Sequence, residues 1–429
     1  MAKKRYAVCG VSNRGLNMFI GPLLREFSEH GEIVGLLDID EKRFAVCTEM
    51  YPEAKGIPTF TGEDAFDAMV SSTKPDTVIV CGIDRTHVTY ILKALAKDLH
   101  VISEKPMVTT SEDCRRVLDA EKKSKGNVTV TFNVRYIAEC RAIKEMILAG
   151  KIGRITQVDL NWYIDTHHGS SYFQRWNRER KNSGGLSIHK STHHLDMVNW
   201  FVGQNPLEVF SYGARNYYGA DGELNPKKAD GRRCATCDVR TSCAYYMRWH
   251  GRSEGAAQPA DDHLGTVKIA YTDYHPDRCI FDPCIDIEDT YVASIRYDKG
   301  ALFSYSVNFS TPYEGFRLAI NGTKGRIEWT FYGAASRMPF TVDAESTLDY
   351  MPLFHGGRER IDVLKGAGSH GGADPILRED LFIGPDPARG YEIMSNSLAG
   401  AQAVAMGEAL WRSAKEKRPI SIPELLGLK

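Results

Sequence analysis

The sequence predicts an α/β chain: a doubly wound parallel sheet over residues 1–135, then an α+β domain with a mostly antiparallel open sheet over residues 136–429. Three observations carry this. Up to about Val134, short apolar runs alternate with helical patterns. A glycine turn follows the first apolar run, and after Tyr136 period-2 alternation takes over. A chain of 429 residues also exceeds one ordinary core and suits two or three domains.

In order, Tyr6–Cys9 reads as a buried strand, Leu16–Phe27 as a helix, Ile33–Leu37 as a strand and Lys42–Tyr51 as a helix. Thr77–Cys81 is a continuous apolar strand, Val88–Lys97 a helix and Val101–Ser103 a strand. Ser111 is expected to cap a helix running to about Ser124, and Val128–Phe132 closes the series. A helix over Ala138–Ala149 then leads into strands at Ile155–Tyr163, Val209–Tyr218, Thr290–Tyr297, Ala301–Phe309, Arg317–Asn321 and Arg326–Thr330. Asp298-Lys299-Gly300 reads as a hairpin turn, Asp374-Pro375 as a helix cap followed by a first-turn proline, and Tyr391–Lys415 as the last long helix.

Composition narrows the function classes. Hydrophobic residues are 42% and charged residues 25%, ordinary values for a globular chain. Lys and Arg number 54 against 55 Asp and Glu, so no basic footprint for nucleic acid or an anionic membrane is expected. No apolar run approaches the roughly 20 residues of a spanning helix. Cys9, Cys47, Cys81, Cys114 and Cys140 sit scattered in apolar patterns, which reads as reduced thiols in a cytoplasmic protein.

Gly10-Val11-Ser12-Asn13-Arg14-Gly15 joins the first strand to a helix, the place of a dinucleotide loop in a Rossmann domain. Its first glycine permits the tight turn and its last lets the helix pack closely. Backbone N–H groups of Ser12, Asn13 and Arg14 face the expected pyrophosphate. Ser12 replaces the usual middle glycine, and its hydroxyl is expected to donate a further bond. Asp38 ends the second strand, where a carboxylate accepts from ribose hydroxyls and repels a 2′-phosphate. This favours NAD; Arg14 or Arg43 would serve NADP instead.

With Glu104-Lys105-Pro106, Asn133-Val134-Arg135-Tyr136 and the segment Gly184–Asp196, the chain resembles the Gfo/Idh/MocA oxidoreductases over nearly its full length. The resemblance implies an NAD-binding Rossmann domain and a second domain whose open sheet lines a sugar site and joins subunits into a homo-oligomer. It implies that Lys105 lies beside the nicotinamide, that His193 is the catalytic histidine, and that Thr86, His87, Glu104, Pro106 and Asn133 belong to the cofactor site. A lysine at a strand's C-terminal end sits at the ligand-binding edge of such a sheet, and a neighbouring cationic ring lowers its proton affinity. Pro106 is a candidate for a preceding cis bond.

One departure stands out. Family members carry an aspartate four residues before the catalytic histidine, where this chain has His189, with Lys190 beside it. Upstream, Tyr163, His167, His168, Tyr172, Arg175 and Trp176 follow a strand end. With Arg135 and His194, these make a candidate sugar pocket richer in titratable groups than hydride transfer requires; Tyr163, His167, His168, His189 and Lys190 are candidate second bases. The main expectation is therefore an NAD-dependent oxidoreductase acting on a secondary alcohol of a sugar, glycoside or cyclitol. The alternative is an NAD-dependent glycoside hydrolase working by transient oxidation, elimination, water addition and re-reduction.

An insertion at about residues 221–284 holds the other cysteines. Cys234, Cys237, Cys243 and Cys279 have spacing compatible with one structural zinc, leaving Cys284 spare. Reduced thiols and a disulfide are the competing readings.

Overall fold

The computed structural model describes residues 3–249, 272, 274–333, 335–341, 345–364, 366 and 369–428. These fall into two compact units, one drawn from Met1–Ile137, Asp261–Tyr274 and Gly366–Val404, the other from Ala138–Ala260, His275–Lys365 and Ala405–Lys429.

The first unit is built on a seven-stranded sheet. Its strands run, edge to edge, Ser395–Asn396, Val128–Val130, His100–Ser103, Thr77–Val80, Lys4–Cys9, Gly31–Asp38 and Thr59–Thr61. All pairings are parallel except that of Ser395–Asn396 with Val128–Val130. Every residue of Thr77–Val80 is buried, as a central parallel strand covered on both faces requires. The C-terminal ends of Lys4–Cys9 and Thr77–Val80, adjacent in the sheet, meet at the glycine loop.

Several expected elements differ. The expected helix Leu16–Phe27 is a π-helical segment, Gly15–Ile20, then a single α-turn, Gly21–Leu24. At Gly21 a Cβ would lie 2.5 Å from the Tyr51 ring, so this crossing is close. Thr110, not Ser111, caps the helix Ser111–Glu121 by accepting from the Asp113 N–H. The expected second domain of residues 136–429 loses Gly366–Val404 to the first unit. The reason is packing and pairing: Ser395–Asn396 adds to the sheet edge, and Gly400 lets Ser397–Glu416 approach Val130 and Met107. That helix starts at Ser397 because the residues before it are extended.

The second unit carries a nine-stranded sheet ordered Glu359–Arg360, Thr347–Pro352, Gly325–Gly333, Glu314–Gly322, Ile155–Asp165, Leu302–Thr311, Thr290–Tyr297, Pro206–Ala214 and Ile420–Ser421. All its pairs are antiparallel except Ile155–Asp165 with Leu302–Thr311. Along Thr290–Tyr297, Tyr291, Ala293, Ile295 and Tyr297 are buried while Val292, Ser294 and Arg296 are exposed. One face therefore meets the helices and the other stays open. The strand expected at Val209–Tyr218 is Pro206–Ala214, because the N–H groups of Asn216, Tyr217 and Tyr218 turn onto the Asp289 carboxylate. Among the described residues no helix is long and apolar enough to cross a membrane.

Candidate active site

In the first unit the glycine loop is held on all sides. Gly10 has φ +103°, and a Cβ there would lie 2.5 Å from the Gly82 nitrogen. A Cβ on Gly15 would lie 2.5 Å from the Gly10 carbonyl oxygen. Both positions exclude a side chain, for conformation at the first and close approach at the second. The Ser12 hydroxyl donates to the Cys81 carbonyl at 2.7 Å and accepts from the Gly15 N–H at 3.0 Å. Its expected donation to pyrophosphate is thus corrected: the hydroxyl's proton is used within the loop.

Asp38 is buried, its carboxylate accepting from the Val11 N–H at 2.7 Å and the Asp40 N–H at 3.1 Å. Burial raises its pKa, against the opposing pull of those N–H groups and Arg43. Arg43 is fully buried and donates to the Val11 carbonyl. Arg14 pairs with Glu104 at 2.6 Å and with Asp374 at 2.8 Å. Burial alone would lower the Arg14 guanidinium, but Glu104 and Asp374 reverse this and push it up. Asn133 donates to Asp374 at 2.8 Å. Asp374 and Pro375 lie inside the helix Ser369–Phe382, which corrects the expected cap. Asp374 instead fixes two residues of the candidate cofactor site.

Lys105 follows the strand His100–Ser103, half-buried, with its N–H donating to Glu104 at 3.1 Å. The Lys105–Pro106 bond is cis. His87 is buried, Nδ1 lying 2.9 Å from the Pro106 carbonyl and Nε2 3.2 Å from that of Gly82. The structure therefore makes His87 a brace between two loops rather than a cofactor contact, a correction. Thr86 donates to the Ile83 carbonyl at 2.7 Å. Arg135 is corrected as a substrate ligand too: it is buried and reaches the Ile393 carbonyl at 3.3 Å. The residues present fit a dinucleotide. The loop is a cradle that a Cβ at Gly10 or Gly15 would fill, and the side-chain oxygens of Asn13 and Asn133 are buried with no hydrogen-bond partner among the described residues.

The second unit gathers most of the expected histidines around the start of two helices. Asp165 caps Thr166–Gln174, accepting from the His168 N–H at 2.8 Å, and pairs with Arg337 at 2.7 Å. His168 Nδ1 lies 2.9 Å from Glu314, and its Nε2 lies 2.7 Å from the Tyr172 hydroxyl. Burial, then Lys190 and Arg337, lowers the His168 pKa against the pull of Glu314. Burial would raise Glu314, but His168, Lys190 and Arg337 outweigh it and hold the carboxyl well below its usual range. Lys190 is half-buried with a lowered pKa, burial opposing its charge and Glu314 supporting it. His189 contacts the edges of Tyr172 and Trp176, with ring centroids at 5.4 and 5.5 Å, and Asn177 lies 3.2 Å from its Nε2. His193 is half-buried in the first turn of Ser191–Val202. Arg175 donates to the Ser171 carbonyl at 2.8 Å and lies over the Tyr172 ring. His167 meets Trp249, with ring centroids 4.8 Å apart.

Two expected residues fall elsewhere. His194 is fully buried, stacked on Trp162 at 3.8 Å with Nδ1 2.8 Å from the Tyr305 hydroxyl, so it is a core residue rather than a substrate ligand. Tyr163 follows Trp162 on a strand and therefore points to the opposite sheet face, against Tyr313 at 5.7 Å. Its candidacy as a base ends there. Conversely, Glu314 and Arg337 belong to the cluster although no local pattern marks them. Only the pairing of Glu314–Gly322 with Ile155–Asp165 brings Glu314 to this strand end.

Cys234, Cys237, Cys243 and Cys279 line one small cavity with Tyr245 and Phe281. Among the described residues, however, no three or more His, Cys, Asp or Glu side chains are arranged to hold a metal ion. The expected zinc site is therefore not found among the described residues. Burial, with Cys279 and Asp277 adding to it, pushes the Cys234 thiol up to about 12. Part of the expected insertion, residues 250–271 and 273, lies outside the described residues. A thiol reagent at mildly alkaline pH should modify exposed Cys284 first. Cys81 and Cys140, whose thiols burial pushes far up, should react only after unfolding. A mass-resolved labelling time course checks this order.

Two family models match the chain: an oxidoreductase family NAD-binding Rossmann fold over residues 4–132, and an oxidoreductase family C-terminal alpha/beta domain over residues 144–422. The Bacillus subtilis protein YteT, named as an oxidoreductase, is 58% identical over 99% of both chains. An inositol 2-dehydrogenase/D-chiro-inositol 3-dehydrogenase of Lacticaseibacillus casei is 35% identical over 40% of this chain and 45% of its own. The D-glucoside 3-dehydrogenase of Escherichia coli is 27% identical over 44% of this chain and 56% of its own. Among solved structures, the WlbA dehydrogenase of Bordetella pertussis, solved with NADH and UDP-GlcNAcA, superposes with a TM-score of 0.63. That match covers 98% of this chain and 99% of the other at 19% identity, a likeness of fold.

Proposed function

Because the chain belongs to the Gfo/Idh/MocA oxidoreductase family, we propose that it oxidises a secondary alcohol of a sugar, glycoside or cyclitol with NAD. The observation carrying this reading is the glycine loop with its fixed surroundings, Asp38 on one side and the Glu104-Lys105-Pro106 turn on the other. Bound NAD would supply the hydride acceptor. Gly10, Asn13, Gly15 and Asp38 would hold it, and Lys105 would take up the hydroxyl proton. The inositol and glucoside dehydrogenases among the relatives support the substrate class.

The preference for NAD over NADP rests on charge. Asp38 stands at the strand end, Arg43 is buried on a carbonyl, and Arg14 is engaged by two carboxylates. Asp38→Ala should weaken NAD binding more than NADP binding. A charge-assisted hydrogen bond is worth about 1.5–3 kcal/mol, so the preference should narrow by roughly tenfold or more. Fluorescence titration with both cofactors checks it, and tighter NADP binding by the unaltered protein would overturn it.

We further propose a homo-oligomer formed through the open face of the nine-stranded sheet, where Tyr212, Val292 and Leu302 are exposed. Light scattering of the protein and of a Tyr212→Asp/Val292→Asp variant tests this; an unchanged mass would exclude that face.

A panel of sugars, glycosides and cyclitols with NAD tests the reaction. NADH formed in step with an uncleaved oxidised product is the expected result. Glycoside cleavage without NADH would overturn it.

A further inference from the structure

Three charged side chains, all of the first unit, meet where the strands Lys4–Cys9 and His100–Ser103 end. Arg14 donates from Nε to one Glu104 oxygen at 2.6 Å, and from Nη1 and Nη2 to Asp374 at 2.8 and 3.3 Å. The other Glu104 oxygen accepts from the Lys105 N–H at 3.1 Å, and Asn133 donates to Asp374 at 2.8 Å. Glu104 and Asp374 are both buried, 6% and 3% exposed. One guanidinium thus serves two carboxylates, and the three groups sum to one negative charge. A single carboxylate would balance Arg14; burying a second costs free energy that an adjoining cation offsets. The surplus is felt at the glycine loop. Cys81, whose thiol donates to the Gly10 carbonyl at 3.0 Å, has its pKa raised first by burial and next by Glu104, and Arg14 opposes this more weakly.

We propose that the Glu104–Arg14–Asp374 triad tunes the redox preference of the cofactor site: its surplus negative charge biases binding toward NAD, whose nicotinamide ring is cationic, over NADH, with Asp374 as the positioning residue that supplies the surplus. The inference rests on the function proposed above, in which the ring lies beside Lys105, and deepens it by giving the cycle a direction. Hydride transfer from the carbinol carbon puts two electrons and one hydrogen on the ring and cancels its charge, while the hydroxyl proton goes to Lys105. The reduced ring therefore lacks an attraction that the oxidised ring had. Capture of NAD and release of NADH are both favoured, the order that net oxidation of an alcohol requires. Whatever else touches Asp374, exchanging it for a neutral residue removes one negative charge from this place. A unit charge acting over about 10 Å at an effective dielectric constant of about 20 changes an affinity by roughly tenfold.

The test uses the full chain and titrates NAD and NADH separately by calorimetry, reading the ratio of the two dissociation constants. Asp374→Asn keeps the size of the side chain and removes its charge. It should move the ratio toward NADH by about tenfold, which raises the potential of the bound couple by about 30 mV. Arg14→Gln removes the positive charge and should move the ratio the other way. Any contact of Arg14 with the phosphates is common to both forms and cancels. Asp374→Glu keeps the charge and should keep the ratio. Opposite shifts from two neighbouring substitutions are what a field produces and a loss of packing does not. An unmoved ratio in Asp374→Asn, with both forms weakened alike or not at all, overturns the inference, and so does a shift in the same direction in Asp374→Asn and Arg14→Gln. If Asp374→Asn fails to fold, as a thermal melt would show, Arg14→Gln decides alone: a ratio moved toward NAD supports the inference and an unmoved one overturns it. An unaltered protein that binds neither form would instead overturn the function on which it rests.

Discussion

Lys105→Met should lower turnover by about 10²–10⁴-fold, the range lost with a positioned proton-transfer group, while NAD still binds. The binding half of this expectation follows from how the turn is built. Glu104 is held by Arg14, Arg14 by Asp374, and the Lys105 N–H donates to Glu104, all without the lysine side chain. Methionine keeps the length and apolar stem of the side chain and removes only the ammonium. Steady-state NADH formation paired with calorimetric NAD titration separates the two effects. Unchanged turnover would remove Lys105 from the chemistry, and lost NAD binding would reassign the lysine to holding the cofactor.

Arg178→Met should destabilise the fold by about 3–5 kcal/mol, the loss expected when one partner of a buried ion pair is removed. The Arg178 side chain is 0% exposed and the Asp282 side chain 5%, with 2.8 Å between them. Arg178 also donates to the Cys279 carbonyl at 2.9 Å. Without the guanidinium, Asp282 keeps the Gly231 N–H as a partner but no opposite charge from Arg178. Arg178→Met combined with Asp282→Leu should recover some of the loss, because the desolvated charge is gone. Urea denaturation of the three proteins measures both steps. A single variant as stable as the parent would show that this pair contributes nothing net.

The features of the site set by local geometry were legible in the sequence. Gly10 and Gly15 announce themselves because a turn and a close approach each exclude a Cβ at a fixed place after a strand. Asp38 is legible because it ends the next strand beside the first. Residues whose role depends on distant pairing were not. Asp374 meets Arg14 across 360 positions, Glu314 meets His168 across 146, and no periodicity encodes either distance. Sidedness failed at two positions. His194 lies about 100° around the helix from His193, which takes it from the half-buried side into the core. Tyr163 follows Trp162 on a strand, and one residue there is a change of face. The zinc reading failed differently, because spacing along a loop does not fix where four sulfurs point.

The pairing of Arg14 with Asp374 has a consequence for the order in which the protein is made. The chain leaves the ribosome N-terminus first, so the glycine loop exists long before its partner does. At the roughly 5–20 residues per second of synthesis, the 360 positions between them take on the order of 20–70 s. Throughout that interval the sheet also lacks Ser395–Asn396 beside Val128–Val130, leaving that side of the strand uncovered. An early-synthesised nucleotide fold thus waits for the end of the chain to complete it. A nascent chain stalled before Gly366 is the species in which an exposed edge and an Arg14–Glu104 turn still lacking Asp374 would call for a chaperone.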